Sequence, residues 1–307
     1  MNDMVRTDYD ILIVGGGIAG MTAAIYASRS SLKTLVLEQE ICGGLANQTH
    51  TVENFPSHIS IGGMDLMENV KEQMTHCGAD LIEVVEISKF DVENQTKTVV
   101  TDEGTFSART IILAMGRKPI HLPIEADWDE HIHYCSLCDG NFYIDKDIVV
   151  VGGGNSAFDE SLYLAGLGVK SITVIEALDT CAAAGGTIQK ALATGKIAIK
   201  TGTRLTGIDP TEDSAVIELT DAASGATKSI QAEGMFVFIG QKPATTEFQD
   251  ILDLDQYGYI EVNSDMGTNI PGVFAAGDIV AKRYRQLTTA MADGTIAALE
   301  AHRYLCS

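Results

Sequence analysis

The chain has 307 residues, enough for two domains that each bury a core. Apolar residues make up 45 %, thirty residues are glycine and only 6 % are aromatic, which excludes a disordered or fibrous chain and fits a globular α/β protein. Scarce Lys and Arg leave a formal charge of -21, a surface that disfavours nucleic acid and anionic membranes as partners.

In chain order, Met1 to Asp10 lacks the basic-then-apolar run of a secretory leader. The apolar stretch Ile11 to Ala27 is interrupted by four glycines and reads as strand, turn and helix, not as a membrane span. With six cysteines and no export signal, a reducing cytoplasm is the expected setting. Ile11 to Val14 is a continuous apolar run, as in a parallel strand buried on both faces. The loop GGGIAG at 15 to 20 follows, then a helix of small residues, then a strand Thr34 to Leu37 ending in Glu38. This βαβ unit carries the dinucleotide fingerprint: Gly15 for the tight turn, Gly17 for backbone approach to a pyrophosphate, Gly20 for helix packing and Glu38 for a ribose hydroxyl. Val84 to Ala108 alternates β-formers with polar and turn residues and is expected to form a small antiparallel sheet, closed by IILAMGRKP at 111 to 119.

Next comes Cys135-Ser136-Leu137-Cys138, followed by Asp139 and Gly140. Cysteines three apart can close and reopen a disulfide without large backbone movement, and so can hold two electrons. A zinc site would need a second ligand pair at finger spacing, which the sequence lacks, so no metal site is expected. Cys42, Cys77, Cys181 and Cys306 are scattered and read as buried or idle thiols. A second βαβ unit runs from Asp147 to Glu176 around GGGNSA at 152 to 157, and FVFIGQKP at 236 to 243 repeats the earlier closing segment. Ile197 to Gln231 is expected to form another small antiparallel sheet. The tail, GVFAAGD at 272 to 278, Arg285-Gln286 and an alanine-rich helix from Thr288 to Tyr304, completes the first domain more naturally than the second. The expected fold is therefore α/β with two Rossmann-like three-layer ββα nucleotide-binding domains, the second inserted into the first and each carrying a small antiparallel sheet. The boundaries fall at 1–117 with 245–307 for a discontinuous domain around the first glycine loop, and at 118–244 for an inserted nucleotide-binding-like domain that carries the cysteine pair.

Taken with VENFP at 52 to 56, these motifs resemble the low-molecular-weight thioredoxin reductases, flavoproteins of the pyridine nucleotide disulfide oxidoreductase superfamily. The resemblance implies FAD with its pyrophosphate at Gly15, Gly17 and Gly20, its adenosine ribose at Glu38, its ring system near Asn54, its ribityl or pyrophosphate region at Gly277 and Asp278, and its edge at Arg285 and Gln286. Gly43-Gly44 matches part of a further family motif, whereas Leu45-Ala46-Asn47 departs from it. It also implies Cys138 next to the flavin, Cys135 attacking the disulfide of a thioredoxin-like protein, Asp139 as general acid or base, a homodimer, and a swing of the inserted domain about the turns at 116–119 and 240–243.

One departure bears on the electron donor. NADPH-using relatives follow the second βαβ strand with a His-Arg-Arg segment that grips the 2′-phosphate. Here residues 175 to 186 contain no cation, and Glu176 and Asp179 would repel a phosphate, so NADPH is not expected to bind. Glu176 could hold the 2′-hydroxyl of NADH instead. The reading favoured over it is a vestigial nucleotide fold, as in the ferredoxin-dependent flavin thioredoxin reductases, with Lys282 and Arg283 docking ferredoxin. A drop from about -400 mV to about -270 mV releases about 6 kcal/mol per electron pair, so such a donor suffices. A flavin-dependent dithiol oxidase is a third reading on the same residues.

Overall fold

The computed structural model describes residues 6–124 and 126–307; residues 1–5, part of the stretch read above for a leader, lie outside them. The chain divides into two compact units, one running to Lys118 and resuming at Lys242, the other spanning Pro119–Gln241.

The first unit begins with β1 (Arg6–Val14), α1 (Ile18–Arg29) and β2 (Thr34–Leu37), with Ile11–Val14 in parallel register against Thr34–Leu37. Successive side chains of a strand point to opposite faces. Along β1, Ile11 and Ile13 accordingly join a core with α1, while Leu12 and Val14 join a second core on the other face with Val99, Phe106 and Phe248. Helix α2 (Gly63–His76) and β3 (Asp80–Ile82) extend that edge. Next, β4 (Ile87–Asp91) and β5 (Lys97–Thr101) form an antiparallel pair that continues onto β6 (Gly104–Leu113), giving the order β3-β2-β1-β6-β5-β4. The expected small sheet is thus not separate. At ten residues, β6 is long enough to pair along its whole length with β1 and still take β5 on its other edge.

Two short strands at the chain crossings, β7 (Arg117–Pro119) and, later, Gln241–Pro243, pair with each other. In the second unit, β8 (Ile132–His133), the single-turn helix α3 (Ser136–Asp139), β9 (Asp147–Val151), α4 (Asn155–Leu167), β10 (Ser171–Ile175), α5 (Gly185–Ala193) and β11 (Ile197–Lys200) follow in turn. An antiparallel sheet of β12 (Thr203–Pro210), β13 (Ala215–Asp221) and β14 (Thr227–Ala232) precedes β15 (Gly234–Val237). The parallel order is β11-β10-β9-β15-β8. Ile197–Lys200, expected in the antiparallel sheet, pairs instead with β10 as the parallel edge, because the chain has just left α5 and completes a second crossover.

After β16 (Gln241–Pro243) the chain returns to the first unit, where β17 (Val273–Ala275) takes the free length of β6 beyond β5, and α6 (Leu287–Cys306) covers α1. Gly277, Gly294 and the alanines Ala297, Ala298 and Ala301 let the two helices approach closely; a Cβ at Gly294 would collide with the carbonyl oxygen of Ala19. No helix among the described residues is long and apolar enough to cross a membrane. Gly294→Ala should lower stability by about 1–3 kcal/mol through overpacking of this contact, measured as a fall in the urea midpoint with an unchanged m value.

Candidate active site

The first glycine loop is shaped by missing side chains. Gly15, at φ +106°, ends β1 so close to Ala114 that a Cβ would strike its carbonyl oxygen, and a Cβ on Gly20 would strike the oxygen of Gly15. Gly17, in contrast, faces open space at the N-terminus of α1, where backbone N–H groups and the helix dipole favour a phosphate. Glu38 braces this loop: its Oε2 accepts from Gly16 N at 2.5 Å and its Oε1 from Glu40 N at 2.9 Å. The Gly43-Gly44 segment lies alongside, with Gly43 N donating to Gly16 O at 2.8 Å. Beneath it Cys42 is buried; burial first, then the Glu83 and Glu38 carboxylates, push its thiol far up, so it is an inert packing group.

Residues far apart in sequence complete this side. Asn54 Nδ2 donates to Gln286 Oε1 at 3.2 Å, and Gln286 caps α6 reciprocally with Thr289. Arg117, read from the sequence only as part of a turn, donates to Asp278 Oδ2 at 2.9 Å. Arg285 lies 3.9 Å over the ring of Tyr259 and donates to Val280 O at 3.3 Å. Asp278 Oδ1, Arg117 Nε and Arg285 Nε are buried without a hydrogen-bond partner among the described residues, a state that ordinarily signals a bound polar group.

Lys282 corrects an expectation. Its side chain is 15 % exposed and donates to Asp293 Oδ2 at 2.6 Å, with Asp278 Oδ1 at 3.9 Å. That charge is neutralised inside the fold and is not offered to a partner; Arg283, over the Tyr284 ring, is the exposed member of the pair.

In the second unit Cys135 and Cys138 form a disulfide, with Cα atoms 5.4 Å apart. Cys135 sits at the N-cap of α3, its sulfur accepting from Cys138 N at 3.2 Å. Cys138 is exposed and Cys135 buried. Asp139 Oδ2 lies 3.2 Å from His133 Nδ1, and His133 Nε2 lies 2.7 Å from the hydroxyl of Tyr143. Burial is the largest influence on both: it lowers His133, against the raising effect of Asp139, and pushes Tyr143 up to about 12. Neither residue stood out in the sequence, although two histidines two positions apart, His131 and His133, just before the cysteine pair were a usable signal. Glu160, on α4, was also missed; burial raises it to about 7, opposed by the Ser136 hydroxyl and aided by Asp159.

The second glycine loop repeats the backbone of the first. Gly152, at φ +120°, would clash with Phe238 O if it carried a Cβ, Gly154 faces open space, and Glu176 lies against Gly153 with its Oε1 accepting from Leu178 N at 2.8 Å. Glu176 therefore occupies in this unit the place of Glu38 in the first.

Comparison with known proteins bears directly on this duplicated arrangement. Residues 9–294 match the pyridine nucleotide-disulphide oxidoreductases. The chain is 38 % identical to a thioredoxin reductase of Mycolicibacterium smegmatis, covering 98 % of this chain and 97 % of that one. It is 38 % identical to a 34.2 kDa protein in the rubredoxin operon of Clostridium pasteurianum, over 96 % and 97 % of the two chains. The crystal structure of Lactococcus lactis thioredoxin reductase matches with a TM-score of 0.91 at 32 % identity, covering 97 % of this chain and 99 % of that one. The chain belongs to the pyridine nucleotide-disulphide oxidoreductase family. Membership makes FAD the implied redox cofactor of this oxidoreductase, and the residues present fit it: an open Gly17 at a helix N-terminus, and buried polar atoms on Asp278, Arg117 and Arg285 in want of partners.

The raised Glu160 makes the stability of this oxidoreductase depend on pH. A free glutamate ionises near 4.5 and Glu160 at about 7, so its contribution is present below 4.5 and is lost as pH rises through 7. Glu160→Gln is expected to leave stability nearly unchanged at about pH 4 and to raise it by on the order of 2 kcal/mol at about pH 8, as read from denaturant unfolding at the two pH values.

Proposed function

We propose that this oxidoreductase is a thioredoxin reductase that takes its electrons from ferredoxin rather than NADPH, and passes them through FAD and the Cys135/Cys138 pair to the disulfide of a thioredoxin-like protein. The observation that carries the donor assignment is the contrast within the second glycine-loop fold: the loop keeps its backbone geometry, yet residues 176–189 contain no Lys, Arg or His to hold a 2′-phosphate. Two charge-assisted contacts worth about 1.5–3 kcal/mol each are missing, which weakens NADPH by orders of magnitude.

FAD, held by the Gly15 to Gly20 loop, Glu38, Gly44, Asn54, Gly277, Asp278, Arg285 and Gln286, with Arg117 added from the structure, would supply the two-electron step that opens the disulfide. Cys135 as thiolate would attack the thioredoxin disulfide, and Cys138 would then attack Cys135 to release reduced thioredoxin. Asp139 would protonate the departing thiolate. Because Cys135 is the buried partner, its use against a protein disulfide requires a conformational change, for which the turns at 116–119 and 240–243 are the candidate hinges. Arg283 is the exposed cation left to dock an acidic donor against the net charge of -21.

NADH as donor is the second reading, favoured by the placement of Glu176 at the end of β10, where Glu38 stands at the end of β2. Anaerobic bleaching of the flavin absorbance, with thioredoxin disulfide as acceptor, separates the readings. Rapid bleaching and turnover are expected with reduced ferredoxin and not with NADPH or NADH; fast bleaching by NADH would make the second fold a working cofactor site, and rapid peroxide formation from a small dithiol would indicate a dithiol oxidase. A complementary gain of function is expected from the triple substitution Glu176→His, Ala177→Arg and Leu178→Arg. It should lower the NADPH concentration for half-maximal bleaching by about 10- to 100-fold, because the loop backbone is already in place.

A further inference from the structure

An unbroken run of side chains links the redox-active turn to an exposed residue. From the Asp139 carboxylate it passes to His133 Nδ1 at 3.2 Å, from His133 Nε2 to the Tyr143 hydroxyl at 2.7 Å, and from that hydroxyl to His131 Nδ1 at 3.4 Å. His131 Nε2 then faces Glu130, whose side chain is 86 % exposed, at 3.7 Å. Tyr143 is itself 2 % exposed. Its ring is fixed under Gly234, where a Cβ would overlap it, and edge-on to Phe236 at 5.5 Å, while His133 lies 5.2 Å from the same Phe236.

The donors in this run point one way. An ionised Asp139 accepts, so His133 Nδ1 carries a proton and its neutral ring leaves Nε2 as an acceptor. The buried Tyr143 hydroxyl then donates to Nε2 and, in turn, accepts from Nδ1 of His131. That leaves His131 Nε2, beside Glu130, as the solvent end of the run.

We propose that His131, Tyr143 and His133 form a proton relay that recharges Asp139 from solvent during disulfide exchange. The relay rests on the dithiol reading given above and deepens it. Reducing a disulfide to two thiols takes two electrons and two protons. A hydride donor brings hydrogen with its electrons, whereas a one-electron iron protein brings none, so every proton then comes through the protein from water. In the first half of each cycle the Cys135 thiolate bonds to a sulfur of the substrate, the substrate S–S bond breaks, and the departing thiolate takes the proton of Asp139; attack of Cys138 on Cys135 then releases the second substrate thiolate, which takes the second proton once Asp139 is recharged. The carboxylate left behind takes the Nδ1 proton of His133, whose Nε2 takes the Tyr143 proton. Tyr143 takes the Nδ1 proton of His131, and His131 Nε2 takes one from water. His133 is on this account a positioning and relay residue that acts through Asp139.

The test uses the full-length flavoprotein reduced with dithiothreitol, desalted anaerobically and mixed with either of two small disulfides, so that no electron donor is involved. Bis(2-hydroxyethyl) disulfide expels an alkyl thiolate that needs a proton; 5,5′-dithiobis(2-nitrobenzoic acid) expels a stabilised aromatic thiolate that does not. His133→Phe and Tyr143→Phe are expected to slow the alkyl exchange by about tenfold or more and to change the aromatic exchange by less than about twofold. Asp139→Asn should show the same selectivity, and adding His133→Phe to it should cost nothing further, because the two act in series. Equal slowing of both exchanges, or no slowing of either, would overturn the relay and leave His133 and Tyr143 as packing groups. If His133→Phe loses its flavin, His133→Gln, which keeps one hydrogen bond but cannot pass a proton, reads the same selectivity. A wild-type dithiol inert to both disulfides would instead overturn the disulfide-exchange reading itself, and the relay with it.

Discussion

A carbon atom absent at two strand ends governs this molecule. Where β1 and β9 run out, Gly15 and Gly152 adopt positive φ and lie against the carbonyls of Ala114 and Phe238, distances that no other residue tolerates. Each turn aims the next helix back across its sheet, and each leaves a third glycine, Gly17 or Gly154, in open space at that helix's N-terminus. The flanking apolar strands, the close packing of α1 under α6 and the bracing glutamates Glu38 and Glu176 all presuppose this close approach of backbones. A methyl group at either turn would separate strand from helix before it touched any ligand.

Given the same frame twice, what distinguishes the two units is charge. The first pairs Arg117 with Asp278 and Lys282 with Asp293, and leaves buried polar atoms on Arg117, Asp278 and Arg285 open to a bound group. The second has no cation in the segment after β10 and concentrates its ionisable side chains instead around the cysteine turn, as Asp139, His133, Tyr143 and Glu160. Burial rather than ion pairing sets the protonation there, keeping His133 and Tyr143 neutral near pH 7. The first unit thus leaves buried polar atoms to be satisfied, and the second sets a histidine, a tyrosine and an aspartate side by side next to a disulfide.

Much of the fold could be read from the chain alone because its signals are local. Continuous apolar runs marked β1, β2, β9 and β10, and glycine spacing marked both loops. The cysteine pair was equally plain. What escaped was whatever depends on partners distant in sequence: Lys282 looked like a free surface cation until Asp293 was found beside it, and Arg117 looked like a turn residue until Asp278 was found 161 positions away. Ile197–Lys200 carried β-forming residues without indicating parallel or antiparallel pairing, which only the preceding crossover decides. His131, His133 and Tyr143 are spread over thirteen residues with a helical turn between them, so no simple periodicity aligns them.

The crossings between the units have a consequence for how such a chain can arise. Ala244 N donates to Gly116 O at 3.2 Å, so the host unit's two cut ends lie side by side; Ile120 N donates to Gly240 O at 3.0 Å, and the guest's ends do as well. To the host, some 120 residues of guest are therefore topologically a single hairpin loop. A gene segment could enter or leave at that point without rethreading either core, and each unit retains a closed set of sheet contacts on which selection can act independently.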